Sequence, residues 1–199
     1  IGVYLDKKEI TDQPEAKYRS MLDYLSDVIG EGTPGCDGLI FTPWLHGNRS
    51  PFDDDNARGM FFNLSLETGK RAMIRSVVEG ICFHKKWLLE SIEKKAATSN
   101  SIRFVGGGAI SDVTCQIMAD IIERPIETVA NPQNAGAAGA AIICGIGLGL
   151  LSDFSEGKKA IKVDKVFEPN LGNRDIYCRN FQAFKSLYRQ NKRIFALLN

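Results

Sequence analysis

The stretch "IRFVGGGAISDVTCQIMAD", residues 102–120, sets the fold class of this chain. It opens in a β-prone apolar run, so Ser101–Val105 is predicted as a strand. It then breaks into three successive glycines, Gly106, Gly107 and Gly108, followed by Ala109. From Asp112 to about Glu123 the apolar residues Ile117, Met118, Ile121 and Ile122 recur at helical spacing, and Ser111 stands where an N-cap belongs. Without Cβ atoms, the glycines let a flat or charged ligand come against bare backbone. The helix that follows turns its positive end toward whatever occupies the turn. Two readings stay open on these residues: a nucleotide site, or a tight strand-to-helix turn. A dinucleotide fingerprint fails, because Ser111 stands where its third glycine belongs.

Outward from that stretch the same alternation continues. Pro125–Val129 reads as a further strand and Asn134 to about Gly147 as a helix of small residues. Upstream, a long helix is predicted from about Thr68 to Lys95, with Ile74, Val77, Val78, Ile81, Leu88 and Ile92 on its core stripe and Lys and Glu opposite. Strands separated by helices predict parallel pairing and an α/β layer architecture. Nearer the start, Pro14–Ile29 is a predicted amphipathic helix, Gly38–Phe41 a short apolar strand, and Pro43–Arg58 a long polar loop. A loop of that length serves either as a site or lid element or as a plain surface excursion. The last helix runs over 173–198, carrying Tyr177, Phe181, Phe184, Tyr188 and Phe195. Neither an internal repeat nor a dividing linker is visible, so residues 1–199 read as one domain.

The bulk numbers exclude several classes. In 199 residues, 44% are apolar and 25% charged, enough for a buried core. A net charge of +1 leaves no electrostatic footprint for nucleic acid or an anionic membrane. The five cysteines are scattered and never spaced as Cys-x-x-Cys, which predicts neither disulfides nor zinc and points to a reducing cytoplasm. Ala135–Leu151 carries no charge, but its Gly and Ala content reads as a helix buried against a sheet rather than a membrane span. The chain opens on Ile1 with no basic-then-apolar leader, so it is read as a fragment with an upstream region removed.

Other chemistry is sparse. The only histidines are His46, in the loop, and His84, placed on the exposed side of the long helix, so no nucleophile-base set assembles. Asp53, Asp54 and Asp55 read as solvated turn residues rather than a metal site. Asp112 either steadies the dipole of its own helix or contacts a ribose or adenine. Asn134 and Gly136 sit either beside a nucleotide or in close helix packing.

Four segments carry a family resemblance. "RFVGGGAISDVTCQIMADIIERPI" resembles the adenosine motif of the FGGY carbohydrate kinases, and "ARGMFFNLSLETGKRAMIRSVVEGICF" resembles their C-terminal signature. "GNRSPFDDDNARG" is similar to the xylulokinase branch, and "NAGAAGAAIICGIGLG" to the stretch after the adenosine motif. All four occur in order within Gly38–Gly149. Asn63, where a glycine is usual, and Ala72, where a polar residue is usual, depart from the pattern.

The resemblance implies an actin-like ATPase, ribonuclease H-like α/β fold, of which this chain is the incomplete C-terminal part of the second kinase domain. It also implies that Gly106, Gly107, Gly108 and Ala109 line an adenosine site, with Asp112 close by and Asn134 and Gly136 peripheral. The implied substrates are ATP, with Mg²⁺, and a small sugar, a pentulose with xylulose first. The implied partners are the missing N-terminal domain and a possible second copy. No residue here inherits the family's catalytic aspartate, which lies in a Gly-Asp segment upstream. The alternative is an actin-like nucleotide-binding or interaction module without sugar kinase activity.

Overall fold

The computed structural model describes residue 18, residues 20–159 and residues 161–199. In chain order the elements are α1 (Met21–Gly30), β1 (Ile40–Thr42), β2 (Met60–Phe62), α2 (Lys70–Glu93), β3 (Ile102–Arg103) and α3 (Asp112–Ile122). They continue as β4 (Ile126–Val129), α4 (Ala135–Gly147), α5 (Phe154–Lys159), β5 (Val163–Phe167) and α6 (Arg174–Leu198). The chain divides into two compact units, residues 1–89 with 175–199, and residues 90–174. The boundary at 89/90 falls inside the continuous helix α2, so no Gly- or Pro-rich linker exists there to be read from the sequence.

The second unit is an α/β layer. β3 pairs with β4 in parallel, Ile102 opposite Ile126 and Arg103 opposite Glu127, as strands joined through a helix require. β5 adds antiparallel to the other side of β4, with Ile126 opposite Phe167 and Thr128 opposite Lys165. Between Thr128 and Val129 the register slips, because Val129 faces Val163, and Asp164 is the extra residue of a bulge. The core beneath is α3 and β4: Cys115, Ile117, Ala119, Ile121 and Ile126 are all essentially inaccessible. At the C-terminal end of α3, Glu123 adopts a left-handed conformation (φ 62°) and its N–H donates to the Ala119 carbonyl, closing the helix. Buried Asp120 accepts from Gln116 (2.7 Å), the Asn170 amide (2.8 Å) and Asn173 (2.8 Å), which pins the segment after β5 to α3.

The first unit packs α2 and α6 with the β1–β2 hairpin. β1 and β2 pair antiparallel, Phe41 opposite Phe61. Asn63, just beyond β2, has φ 70°, a left-handed conformation that glycine favours and asparagine tolerates, so its departure from the family pattern carries little strain. Aromatic rings fill the core: Phe83 packs on Tyr177, Phe181 and Phe184, and Trp44 on Phe184, Tyr188 and Phe195.

Three expectations change. The helix expected over 14–29 starts at Met21, because Ser20 (φ −150°, ψ 162°) caps it by accepting from the Asp23 amide at 3.1 Å; residues 14–17 and 19 lie outside the described residues. α2 has the expected length but not the expected buried face. Arg75, Ser76, Glu79, Gly80, Cys82 and Phe83 are buried, while Ile81 and Ile92 are exposed. The apolar periodicity lies about one residue off the true core stripe because the Arg75–Glu79 ion pair occupies the core. The small-residue helix α4 is not buried against the sheet: only Gly145 is buried, and Ile143 and Leu148 stand exposed. It packs on α5, where Gly157 sits directly against Ile142, and on the 3₁₀ turn that precedes it. No helix among the described residues is long and apolar enough to cross a membrane.

Candidate functional site

The glycine turn is built by two crossing hydrogen bonds. The Phe104 amide donates to the Glu127 carbonyl (2.8 Å), extending the β3–β4 pairing, and the Gly106 amide donates to the Pro132 carbonyl (2.8 Å), tying this turn to the one after β4. At Gly106 the backbone takes φ 93° and ψ −176°, a region open in practice to glycine alone. Gly107–Ile110 then form a single 3₁₀ turn, and the Ala109 amide donates back to the Gly106 carbonyl at 3.1 Å. Ser111 caps α3 as expected, accepting from the Thr114 amide at 3.4 Å. Beneath the turn the Cys115 thiol donates to the Ala109 carbonyl at 3.7 Å. Burial, with the Asp112 charge added, pushes that thiol up to about 11, so it stays protonated as a donor.

A cavity of about 220 Å³ opens where the two turns meet. Its lining combines Ala109, Ile110 and Asp112, then Thr128, Val129, Asn131, Pro132 and Gln133, and finally Asp164 and Lys165 of β5. It therefore lies at the carboxyl ends of the parallel pair β3–β4, where open α/β sheets take their ligands. Lys165 Nζ donates to both carboxylate oxygens of Asp112, at 2.9 and 2.7 Å. That bond and the Asp112 charge push the Lys165 ammonium further up. Two carboxylates and one ammonium give the cavity a net negative charge.

Of the seven residues singled out in the sequence, Ala109 and Asp112 line this cavity. Gly106, Gly107 and Gly108 form the adjoining turn; a methyl group at Gly106 or Gly107 would meet open space, and one at Gly108 would touch the ring of Phe104. Asn134 and Gly136 lie past the lining, at the exposed start of α4. The Asn134 amide is spent on the Asn131 carbonyl (2.9 Å), and its side chain makes no capping bond. Sequence reasoning missed Asp164 and Lys165. The only signal for them was a weakly patterned run, Val163-Asp164-Lys165-Val166-Phe167, with no turn motif around it.

The loop over 43–58 is anchored by its own side chains. Trp44 is buried, Phe52 stacks on Tyr188 with ring centroids 3.5 Å apart, and Asp54 accepts from the Tyr188 hydroxyl (3.0 Å) and the Asn56 amide (3.0 Å). His84 is half-buried rather than exposed: its Nδ1 accepts from the Trp44 indole N–H at 3.3 Å, and burial holds its pKa below the ordinary value. No group of three His, Cys, Asp or Glu side chains that could hold a metal ion occurs among the described residues.

A sequence profile described as "FGGY family of carbohydrate kinases, C-terminal domain" matches residues 8–148. A xylulose kinase of Staphylococcus epidermidis is 36% identical over 163 residues, which cover 81% of this chain and 33% of the relative. The chain thus spans about a third of the length of that curated relative. A ligand-bound xylulose kinase structure from Lactobacillus acidophilus superposes with a TM-score of 0.80 at 30% identity, covering 94% of this chain and 38% of the other. A gluconate kinase structure from the same organism superposes with a TM-score of 0.79, also at 30% identity, with the same coverages of 94% and 38%.

Proposed function

Because this chain belongs to the FGGY family of carbohydrate kinases and carries its C-terminal domain, with an actin-like ATPase fold, we propose that it supplies the adenosine side of an ATP-dependent sugar kinase. The observation that carries this reading is the cavity at the carboxyl ends of β3 and β4, bordered by the Gly106–Gly108 turn and lined by Ala109 and Asp112. Its net negative charge repels a polyphosphate and suits the neutral, donor-bearing end of a nucleotide. The adenosine end therefore rests here, and the phosphates extend away from Asp112 and Asp164. An ionised carboxylate accepts hydrogen bonds only, so Asp112 recognises ribose hydroxyls or the adenine amino group. Asn134 and Gly136 are peripheral to that contact.

The reaction is transfer of the γ-phosphoryl group of ATP to a sugar hydroxyl, a pentulose with xylulose first. In such a transfer a general base takes the hydroxyl proton while metal and cationic groups neutralise phosphate charge. The side chains lining the cavity that could act as a base are the carboxylates of Asp112, held by Lys165, and Asp164, and no group of three His, Cys, Asp or Glu suited to a metal ion occurs among the described residues. The catalytic base and the metal site belong to the rest of the full-length protein, Mg²⁺ arriving with ATP. No disulfide occurs among the described residues, which supports a cytoplasmic location. The exposed apolar residues Ile143, Leu148, Leu150 and Phe154 around α4 favour docking against the portion that precedes this chain in the full-length kinase.

The test is a substrate panel on the full-length protein with MgATP: xylulose, ribulose, gluconate and glycerol. Phosphorylation of xylulose ahead of the others is expected. Phosphorylation of none of them removes the kinase reading and leaves a nucleotide-binding module. Residues 1–199 alone are expected to turn over no sugar.

A further inference from the structure

In a regular strand, successive side chains point to opposite faces, so Asp164 and Lys165 should not share a cavity. They do, and the reason is local: Asp164 is the extra residue where the β4–β5 register slips between Thr128 and Val129. A bulge at that point re-aims a side chain, and here two consecutive charged residues of β5 border the same cavity. Lys165 then reaches across 53 positions of sequence to both oxygens of Asp112, at 2.9 and 2.7 Å. β5 lies beyond residue 148, where the match to the family profile ends.

We propose that Lys165 is a positioning residue of the nucleotide site, holding Asp112 in one orientation so that its remaining lone pairs receive the donors of an adenine nucleoside. This rests on the adenosine reading of the cavity given above. A carboxylate has about four lone-pair sites, and the single ammonium bridging its two oxygens takes one on each. The other two stay open, and the pair is accessible to a ligand: the Lys165 and Asp112 side chains are 51% and 59% exposed. Lys165 also offsets one of the cavity's two negative charges, which tempers repulsion of the phosphates of an incoming nucleotide. Without it, Asp112 samples several rotamers, and ordering it is charged against nucleotide binding.

The experiment uses the full-length protein as wild type, Lys165→Met and Lys165→Arg, measuring kcat, the KM for ATP and the KM for the sugar, with a thermal midpoint for each. The expected result is an ATP KM raised roughly three- to fivefold in Lys165→Met, as suits an exposed pair, with kcat and sugar KM within about twofold of wild type. Lys165→Arg restores most of the ATP KM. An unchanged ATP KM in a Lys165→Met protein of wild-type thermal midpoint overturns the proposal. So does a fall in thermal midpoint accompanied by parallel changes in kcat and both KM values, which marks Lys165 as a pin between β5 and α3 only. A wild-type protein that shows no ATP-dependent turnover overturns instead the adenosine reading beneath it.

Discussion

At the scale of single residues, burial decides which charges matter. Glu79 Oε1 accepts from the Arg75 Nε (2.7 Å), the Tyr177 hydroxyl (3.1 Å) and the Gly35 amide (3.1 Å), while Arg75 also donates to the Ile29 carbonyl at 2.9 Å. Burial pushes the Glu79 carboxyl up, against the pull of Arg75, and its Oε2 has no partner. Glu79→Ala strips three donors of their acceptor and leaves the Arg75 guanidinium buried without a counter-charge. A loss of about 3–5 kcal/mol is expected from denaturant unfolding; a loss under about 1 kcal/mol would contradict this account.

His84 gives the pH-dependent counterpart. Its Nδ1 must be unprotonated to accept from Trp44, and burial lowers its folded-state pKa below the ordinary 6.5. The neutral form favours folding, so this contribution is complete above pH 6.5 and is lost as pH falls from there toward the folded value. Between pH 7.5 and 5.5 the thermal midpoint of wild type should fall more than that of His84→Gln, with a change in tryptophan emission. Parallel profiles would show that His84 is not the group responsible. Neither role was legible in the sequence, where Glu79 and His84 both read as outward-facing residues of an amphipathic helix. Helical periodicity weighs apolar residues and is blind to a polar group that finds its partners inside.

Among the elements, the long helices and the strands β1, β3 and β4, each set off by a nearby Gly or Pro, were read close to their observed positions. α2, α3, α4 and α6 fall within a few residues of their expected limits: α2, α3 and α6 repeat an apolar spacing over about three turns or more, and α4 is a continuous run of small and apolar residues. β2 and β5 escaped: one has three residues, and the other is an exposed edge strand whose charges follow its bulge rather than a two-residue alternation. That also explains the candidate site. Its glycine turn and Asp112 lie in one contiguous motif, whereas Lys165 arrives through antiparallel pairing that no local pattern announces. The contact between α2 and β1 carries its own prediction. Gly80 is buried, and a methyl group there would run into the Phe41 carbonyl oxygen. Alanine would ordinarily gain up to about 1 kcal/mol in a helix, but overpacking costs about 1–3 kcal/mol. Gly80→Ala should therefore lower the thermal midpoint, and a rise would mean that α2 and β1 are not in close contact.

For the whole molecule, the account rests on a division of labour. The unit over 90–174 holds the cavity, the glycine turn and the Lys165–Asp112 pair, while the other unit is built on aromatic rings and the buried Arg75–Glu79 ion pair. α4 keeps an apolar face exposed because within this chain it packs mainly on α5 and its preceding turn, and the chain covers only about a third of the relatives it matches. The direct measurement is amide hydrogen exchange on the full-length protein with and without ATP. The account predicts that slowed exchange within this part of the protein concentrates at residues 104–112, 128–133 and 163–167. Protection confined to residues 20–89 and 175–199, with 104–112 unchanged, would contradict it.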